Sequence, residues 1–313
     1  MPKTSKVLTR PDSLSSFRGQ ERVKKLLSVS IKAAKIRRDS HPHTLLKGPS
    51  GYGKTTLARI ISNEMKVRVI EINAPSISNS IELIQRMTTM KTNSIVFVDE
   101  IHRLNAACQE TLYPAMEDFT AERVLSFSKR SVKVELPRFT LIGATTEPGS
   151  LTLPLQNRFT LKVELEEYGE SELEEIVFWH SKQFKMELST ESVRLVGVVS
   201  RGTPRQIVSL LSCIRDYAQI SNTSKVEVEF VKGVLRDLGI AENGLTLEDH
   251  KYLRVLVGRF AGGPTGIETL SLSSGLDQYT IKSIIEPFLL KLGVIERTPR
   301  GRVARVSSIV TCK

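Results

Sequence analysis

The stretch from Gly48 to Thr56, GPSGYGKTT, limits the fold of this 313-residue chain more than any other. It fits G-x-x-x-x-G-K-[ST], and it stands between HTLLKG, which reads as a short buried strand, and Lys54 to Met65, which reads as a helix. In that setting the glycines let backbone N–H groups turn inward around phosphate oxygens, and the helix N-terminus adds its dipole. Lys54 then supplies a cation for the β- and γ-phosphates, and Thr55 offers a hydroxyl to Mg²⁺. The expected cofactors are ATP and Mg²⁺.

A phosphate cradle needs an acidic partner. The run SIVFVDE ends an apolar strand on Asp99, expected to hold the Mg²⁺ shell, and Glu100, expected to polarise an attacking water. His102 reads as structural, because the five histidines show no metal-ligand spacing. In IGATT, Thr145 and Thr146 end the next strand, where a hydroxyl can order the water. LPLQNRF presents Arg158 just after a turn. Its own P-loop already has Lys54, so this arginine suits a neighbouring subunit's site as a finger. RGTPRQ places Arg205 at the start of a helix, aimed back at the phosphates.

Strands at HTLLKG, VRVIEI, SIVFVDE and FTLIGATT alternate with helices, which predicts α/β architecture with a parallel sheet covered by helices on both faces. Val23, Leu26, Leu27, Ile31 and Ala34 are spaced for one face of a preceding helix. From about 120 to 136 the alternation around SKRS predicts a projecting β-hairpin with Val124, Leu125 and Phe127 keeping it apolar. After Glu166 the pattern turns helical, with a capping box expected at Ser171 and Glu174 and Pro204 in a first turn. The organisation expected is 1–166 as an ATPase domain, 167–239 as a small all-helical lid, and 240–313 as a third unit. In that unit Ile281, Ile284, Ile285, Phe288 and Leu292 share a helical face, and Gly293 stops the helix.

Lys plus Arg number 45 against 34 acids, a net charge of +11, which favours a polyanionic partner. The charge gathers in RTPRGRVAR, Arg297 to Arg305, which has four arginines and no acid. Thr298-Pro299-Arg300-Gly301 suits a type I turn. Short strands on either side, following helices, make a winged-helix unit with Arg300 at the tip, Arg297 and Arg302 on its shoulders, and Val303 and Val306 reaching inward. These arginines are expected to grip DNA phosphates. Three scattered cysteines, Cys108, Cys213 and Cys312, argue against a disulfide framework or zinc site. The first ten residues carry no apolar core, and no apolar run approaches membrane-spanning length. A cytoplasmic location is expected.

These motifs resemble the AAA+ ATPases, and within them the RuvB family, the motors of the bacterial Holliday-junction branch-migration complex. The stretches that carry the resemblance include LTRPDSLSSFRGQ, VFVDEIHRLN, LYPAMEDF, GGPTGIETL and IEPFLLKLGVIERTPRGRVA. It implies an adenine contact at Thr9 and Arg10, a phosphate cradle at Gly51, Lys54, Thr55 and Thr56, and a segment near nucleotide at Glu117, Asp118 and Phe119. It also implies an aromatic beside the nucleotide at Tyr168, a trans finger at Arg158 and a second sensor at Arg205. By the same resemblance the chain would form hexameric rings on duplex DNA, dock RuvA through the hairpin and work alongside the resolvase RuvC. The sequence departs from the family pattern at Glu147 and Gln156, where basic residues are usual, and in a shortened hairpin. Rival readings are a DExH-type monomeric helicase, which needs a second motor domain, and a clamp-loader or initiator-type ATP switch. A pure switch can dispense with Glu100 and Arg158.

Overall fold

The computed structural model describes residues 10–124 and 131–305. The chain divides into two compact units, Met1–Ile176 and Val177–Lys313.

The first unit is built on a five-stranded parallel sheet. Its strands are β1 (Thr44–Lys47), β2 (Val69–Asn73), β3 (Ser94–Asp99), β6 (Phe139–Thr145) and β7 (Leu161–Glu164), in the order β2-β3-β6-β1-β7. Every residue of β6 and all of β3 except Asp99 are buried, as strands covered on both faces must be. The four expected strands are present. β7 was not anticipated: at the sheet edge only Val163 is buried, so LKVE lacks the continuous apolar signal of its neighbours. The helix Glu21–Arg37 buries Val23, Leu27, Ile31 and Ala34, but Leu26 is exposed, one position off that stripe. Between β3 and β6, β4 (Thr120–Val124) and β5 (Ser131–Glu135) form the expected antiparallel hairpin, with Val124 opposite Ser131. Leu125 and Phe127 lie outside the described residues. The helix Glu170–Gln183 starts too early for a cap at Ser171. Instead Glu172 reaches back to accept the N–H groups of Gly169 and Gln20, at 2.9 and 2.8 Å.

In the second unit, β8 (Glu187–Leu188) pairs with β9 (Lys225–Val226), tying together the helices Thr190–Val199, Pro204–Ile220 and Val228–Asp237. Pro204 occupies the first turn of its helix. Beyond them the helices Leu247–Arg254 and Ile267–Ser274 pack with a run from Gln278 to Lys291 around Tyr252, Leu256, Leu270, Ile281, Ile285 and Leu289. That run is not uniformly α-helical. A π-turn at Ile281–Ile285 resets the register, so Ile281, Ile285, Phe288 and Leu289 face inward while Ile284 and Leu292 are exposed. Gly293 follows with φ +66°, as a helix stop requires.

The wing follows as β10 (Ile295–Thr298) and β11 (Gly301–Ala304), paired antiparallel across Pro299 and Arg300. A third segment completes it: Thr265 and Arg302 exchange both backbone bonds, at 2.8 and 3.0 Å, and Ala304 donates to Gly262 O. A Cβ on Gly263 would collide with Arg302 O, and one on Gly301 would sit 2.6 Å from Thr265 O. The GGPTG loop is therefore part of the wing.

Arg201, in the turn before Pro204, joins the helical part of this unit to its winged part. Its guanidinium pairs with fully buried Asp249, donates from Nε to Gly244 O at 3.0 Å, and stacks 4.3 Å over the Phe288 ring. Asp249 also accepts from Thr246 N–H and Oγ1, capping the helix Leu247–Arg254.

Candidate nucleotide-binding and catalytic site

The C-terminal ends of β1, β3 and β6 meet at one edge of the sheet, with Lys47 opposite Thr145 and Val98 opposite Gly143. The chain leaves β1 through the P-loop, where Gly48, Gly51 and Gly53 have φ of +143°, +81° and +105°. Side chains rarely tolerate such angles, so the loop's shape depends on glycine. Gly53 also backs onto Phe17: an added Cβ would stand 3.0 Å from its ring. Lys54 is buried, and its Nζ donates to Gly48 O at 2.7 Å and Pro49 O at 2.9 Å, spanning the cradle. Thr55 and Thr56 follow in the first helical turn.

Thr55 Oγ1 donates to Asp99 Oδ2 at 3.4 Å, bringing a hydroxyl and a carboxylate together at the helix start. Hard oxygen donors, few in number and beside a phosphate cradle, suit Mg²⁺, which keeps several waters and shares phosphates. Glu100 has φ +50° and turns its side chain toward β6. Its Oε2 accepts from Thr146 N–H at 3.3 Å and Thr146 Oγ1 at 3.0 Å. His102 Nδ1 lies 3.3 Å from the same oxygen and 3.0 Å from Thr145 Oγ1. Thus Asp99, Glu100, Thr145 and Thr146 come together beside Lys54 and Thr55, and His102 joins them. Nothing in the sequence signals these contacts of His102. A one-turn 3-10 helix, Ile101–Arg103, folds it back onto the carboxylate, and no spacing rule signals that.

Tyr168 is buried under the loop, its hydroxyl donating to Tyr52 O at 2.8 Å and its ring edge-on to Tyr52. Burial, then the nearby Glu172 and Tyr52, pushes its phenol pKa up. Arg10 is exposed, and Thr9 lies outside the described residues.

Arg158 ends the helix Leu153–Arg158 and makes no contact with its own P-loop among the described residues. It donates to Pro154 O at 2.9 Å and stacks 4.5 Å over Tyr113. Its Nη2 donates to Glu117 Oε2 at 3.3 Å, while Nε lies 3.1 Å from Oε1, in ion-pair range but off the line of a hydrogen bond. Asp118 is exposed beside Glu117. Phe119 packs edge-on against Phe139, at the end of β6 away from Thr145. Arg158 is therefore paired with Glu117, while Phe119 packs at the far end of β6 from Thr145. The two departures from basic residues are absorbed locally: Gln156 donates to Pro148 O and Leu151 O, and Glu147 accepts from Ser150. Arg205 is exposed in the first turn of Pro204–Ile220, in the second unit.

At the wing the three arginines differ in their partners. Fully buried Glu286 accepts from Arg297 Nε and Arg302 Nε, each at 2.8 Å, and from the Tyr252 hydroxyl. Arg305 pairs with Glu296. The acids absent from the run arrive from the preceding helix and strand. Arg300 alone of the three stands exposed with no ion pair among the described residues; Arg302 is mostly buried, and Arg297 is shared with Glu286. Val306 lies outside the described residues.

Three family profiles match in succession: the Holliday junction DNA helicase RuvB P-loop domain over 9–165, the RuvB AAA lid domain over 168–241, and the RuvB C-terminal winged helix domain over 242–310. The chain belongs to the RuvB family. It is 41% identical over 297 residues to the Holliday junction branch migration complex subunit RuvB of Staphylococcus haemolyticus, covering 94% of this chain and 90% of that one. The Staphylococcus saprophyticus counterpart is 42% identical, with 94% and 89% covered. Among solved structures, the Thermotoga maritima RuvB Holliday junction branch migration motor superposes with a TM-score of 0.83 at 35% identity, covering 97% of each chain. The P-loop ATPase, lid and winged-helix architecture is thus that of the family, and the site is a nucleotide site. Among the described residues no helix is long and apolar enough to cross a membrane.

Proposed function

We propose that this chain is an ATP-driven DNA translocase that migrates Holliday junctions in recombination and repair, working as a hexameric ring with RuvA and alongside RuvC in the cytoplasm. The observation that carries the reading is the convergence of Lys54, Thr55, Asp99, Glu100 and Thr146 at one sheet edge, in a chain that also bears a wing with an exposed arginine.

In this reading Gly51, Lys54, Thr55 and Thr56 hold the phosphates, and Thr55 with Asp99 would hold Mg²⁺. Bound there, the ion would neutralise phosphate charge. Glu100 orients and deprotonates the attacking water, with Thr146 fixing the carboxylate. Thr9, Arg10 and Tyr168 bound the adenine side, and Arg205 is the second sensor. Arg158, with Glu117, Asp118 and Phe119, serves a neighbouring copy's nucleotide; its lack of contact with its own P-loop favours that assignment. The hairpin at about 120–136 is the docking surface for RuvA, and Arg300 leads the DNA contact. The working division is 1–166, 167–239 and 240–313.

The test is ATP-dependent dissociation of a synthetic four-way junction, with and without RuvA. Turnover of ATP without junction dissociation in either condition would favour the switch-type alternative.

A further inference from the structure

The catalytic carboxylate of Glu100 is held asymmetrically. Two hydrogen bonds converge on Oε2, from Thr146 N–H and Thr146 Oγ1, and His102 Nδ1 lies 3.3 Å from the same oxygen, in ion-pair range. Oε1 has no partner among the described residues. A ring N–H facing a carboxylate oxygen is attracted to it, which favours the tautomer that carries its proton on Nδ1. Nδ1 is hydrogen-bonded to Thr145 Oγ1 at 3.0 Å, and Thr145 Oγ1 is itself fixed by the N–H of Glu147 at 3.0 Å. The His102 side chain is only 10% exposed, so water competes weakly for these bonds.

We infer that His102 is a positioning residue for the hydrolytic step. Its Nδ1 edge, hydrogen-bonded to Thr145 Oγ1 and 3.3 Å from Oε2, confines that oxygen of Glu100, leaving Oε1 as the oxygen that takes the proton of the attacking water. This rests on the function proposed above, in which Glu100 is the general base. The left-handed backbone at Glu100 adds to the need for a second tether: the residue sits on a sharp turn, and Thr146 alone holds it from one side. With two flanking tethers the carboxylate loses its freedom to swing, which is the preorganisation that proton abstraction requires.

The experiment compares steady-state ATPase kinetics of the full-length parent with Glu100→Gln, His102→Ala, His102→Asn and His102→Gln. Asparagine puts an N–H where Nδ1 stands, whereas glutamine carries its amide farther out, near Nε2. We expect His102→Ala to lose roughly 10- to 100-fold in kcat, the scale of a misplaced catalytic group, with KM for ATP within about threefold. His102→Asn should recover most of the loss and His102→Gln little of it. Melting temperatures, read alongside, separate packing from positioning. Recovery by His102→Gln equal to that by His102→Asn would overturn the inference, as would a His102→Ala kcat within twofold of the parent. If the alanine variant does not fold, the Asn–Gln difference still decides. A parent that fails to hydrolyse ATP, or a fully active Glu100→Gln, would instead sink the general-base reading itself.

Discussion

At the scale of single residues, charge on this protein has to be read with its partners. Of the three wing arginines, Arg302 and Arg297 face one buried glutamate, and Arg300 does not. Arg300→Ala should therefore weaken duplex binding uniformly across sequences, and flatten log K against log salt by roughly 0.9 for each phosphate no longer neutralised. Arg302→Ala should act differently. It leaves Glu286 buried with only Arg297 and the Tyr252 hydroxyl as partners, and we expect roughly 2–3 kcal/mol of lost stability, below the usual cost of a broken buried pair because Arg297 remains. Thermal unfolding together with salt-dependent binding separates the two; equal salt slopes for both variants would contradict this division. A second residue-level prediction concerns Arg158. Under the trans role proposed for it, co-assembled mixtures of Arg158→Ala and Glu100→Gln chains should regain ATPase activity, each copy supplying what its neighbour lacks. Absence of rescue in co-assembled mixtures would tell against a trans finger.

Sequence disclosed contiguous chemistry well and distributed chemistry poorly. Lys54 and Thr55 are neighbours inside one short glycine-rich motif, and Asp99 with Glu100 closes an unmistakable apolar strand, so local spacing carries the site. Glu286 sits eleven and sixteen positions from the arginines it holds, and no local pattern announces that pairing.

At the scale of elements, the join between the first helix and β1 depends on a buried neutral imidazole. His41 Nδ1 donates to Pro42 O at 3.0 Å, its Nε2 lies 2.9 Å from Ser30 Oγ, and burial lowers its pKa from 6.5 to about 4. Above pH 6.5 the ring is neutral folded or unfolded, and the stabilisation is complete. As pH falls, the unfolded chain takes up the proton first, and stability declines until the folded ring also protonates at about 4. The slope is about 1.4 kcal/mol per pH unit, on the order of 3 kcal/mol in all. Unfolding measured between pH 7 and 4.5 should be steeper for the parent than for His41→Asn; parallel curves would remove His41 from the account. The elements that sequence misjudged were those where periodicity is broken or weak. The π-turn at Ile281–Ile285 shifts a helical face by one position, and β7 alternates too evenly with polar residues to look like part of a buried sheet.

At the scale of the whole molecule, the pair Arg201–Asp249 joins helical and winged parts of the second unit. Arg201→Ala should leave Asp249 buried and unpaired, at a cost of about 3–5 kcal/mol. We expect a lower unfolding midpoint for this unit, retained DNA affinity through Arg300, and loss of DNA-stimulated turnover with basal ATPase activity kept. Intact stimulation in a destabilised Arg201→Ala protein would show that the pair serves stability alone. The same pair bears on how this chain can be taken apart. Ancestry divides it into three, at about residues 167 and 241, whereas packing divides it into two. A fragment cut after the lid would keep Arg201 and strip away Asp249, Gly244 O and the Phe288 ring together. Grafting this lid onto another motor, or this wing onto another lid, means transplanting both sides of that contact. The modules are separable in lineage and not at the bench.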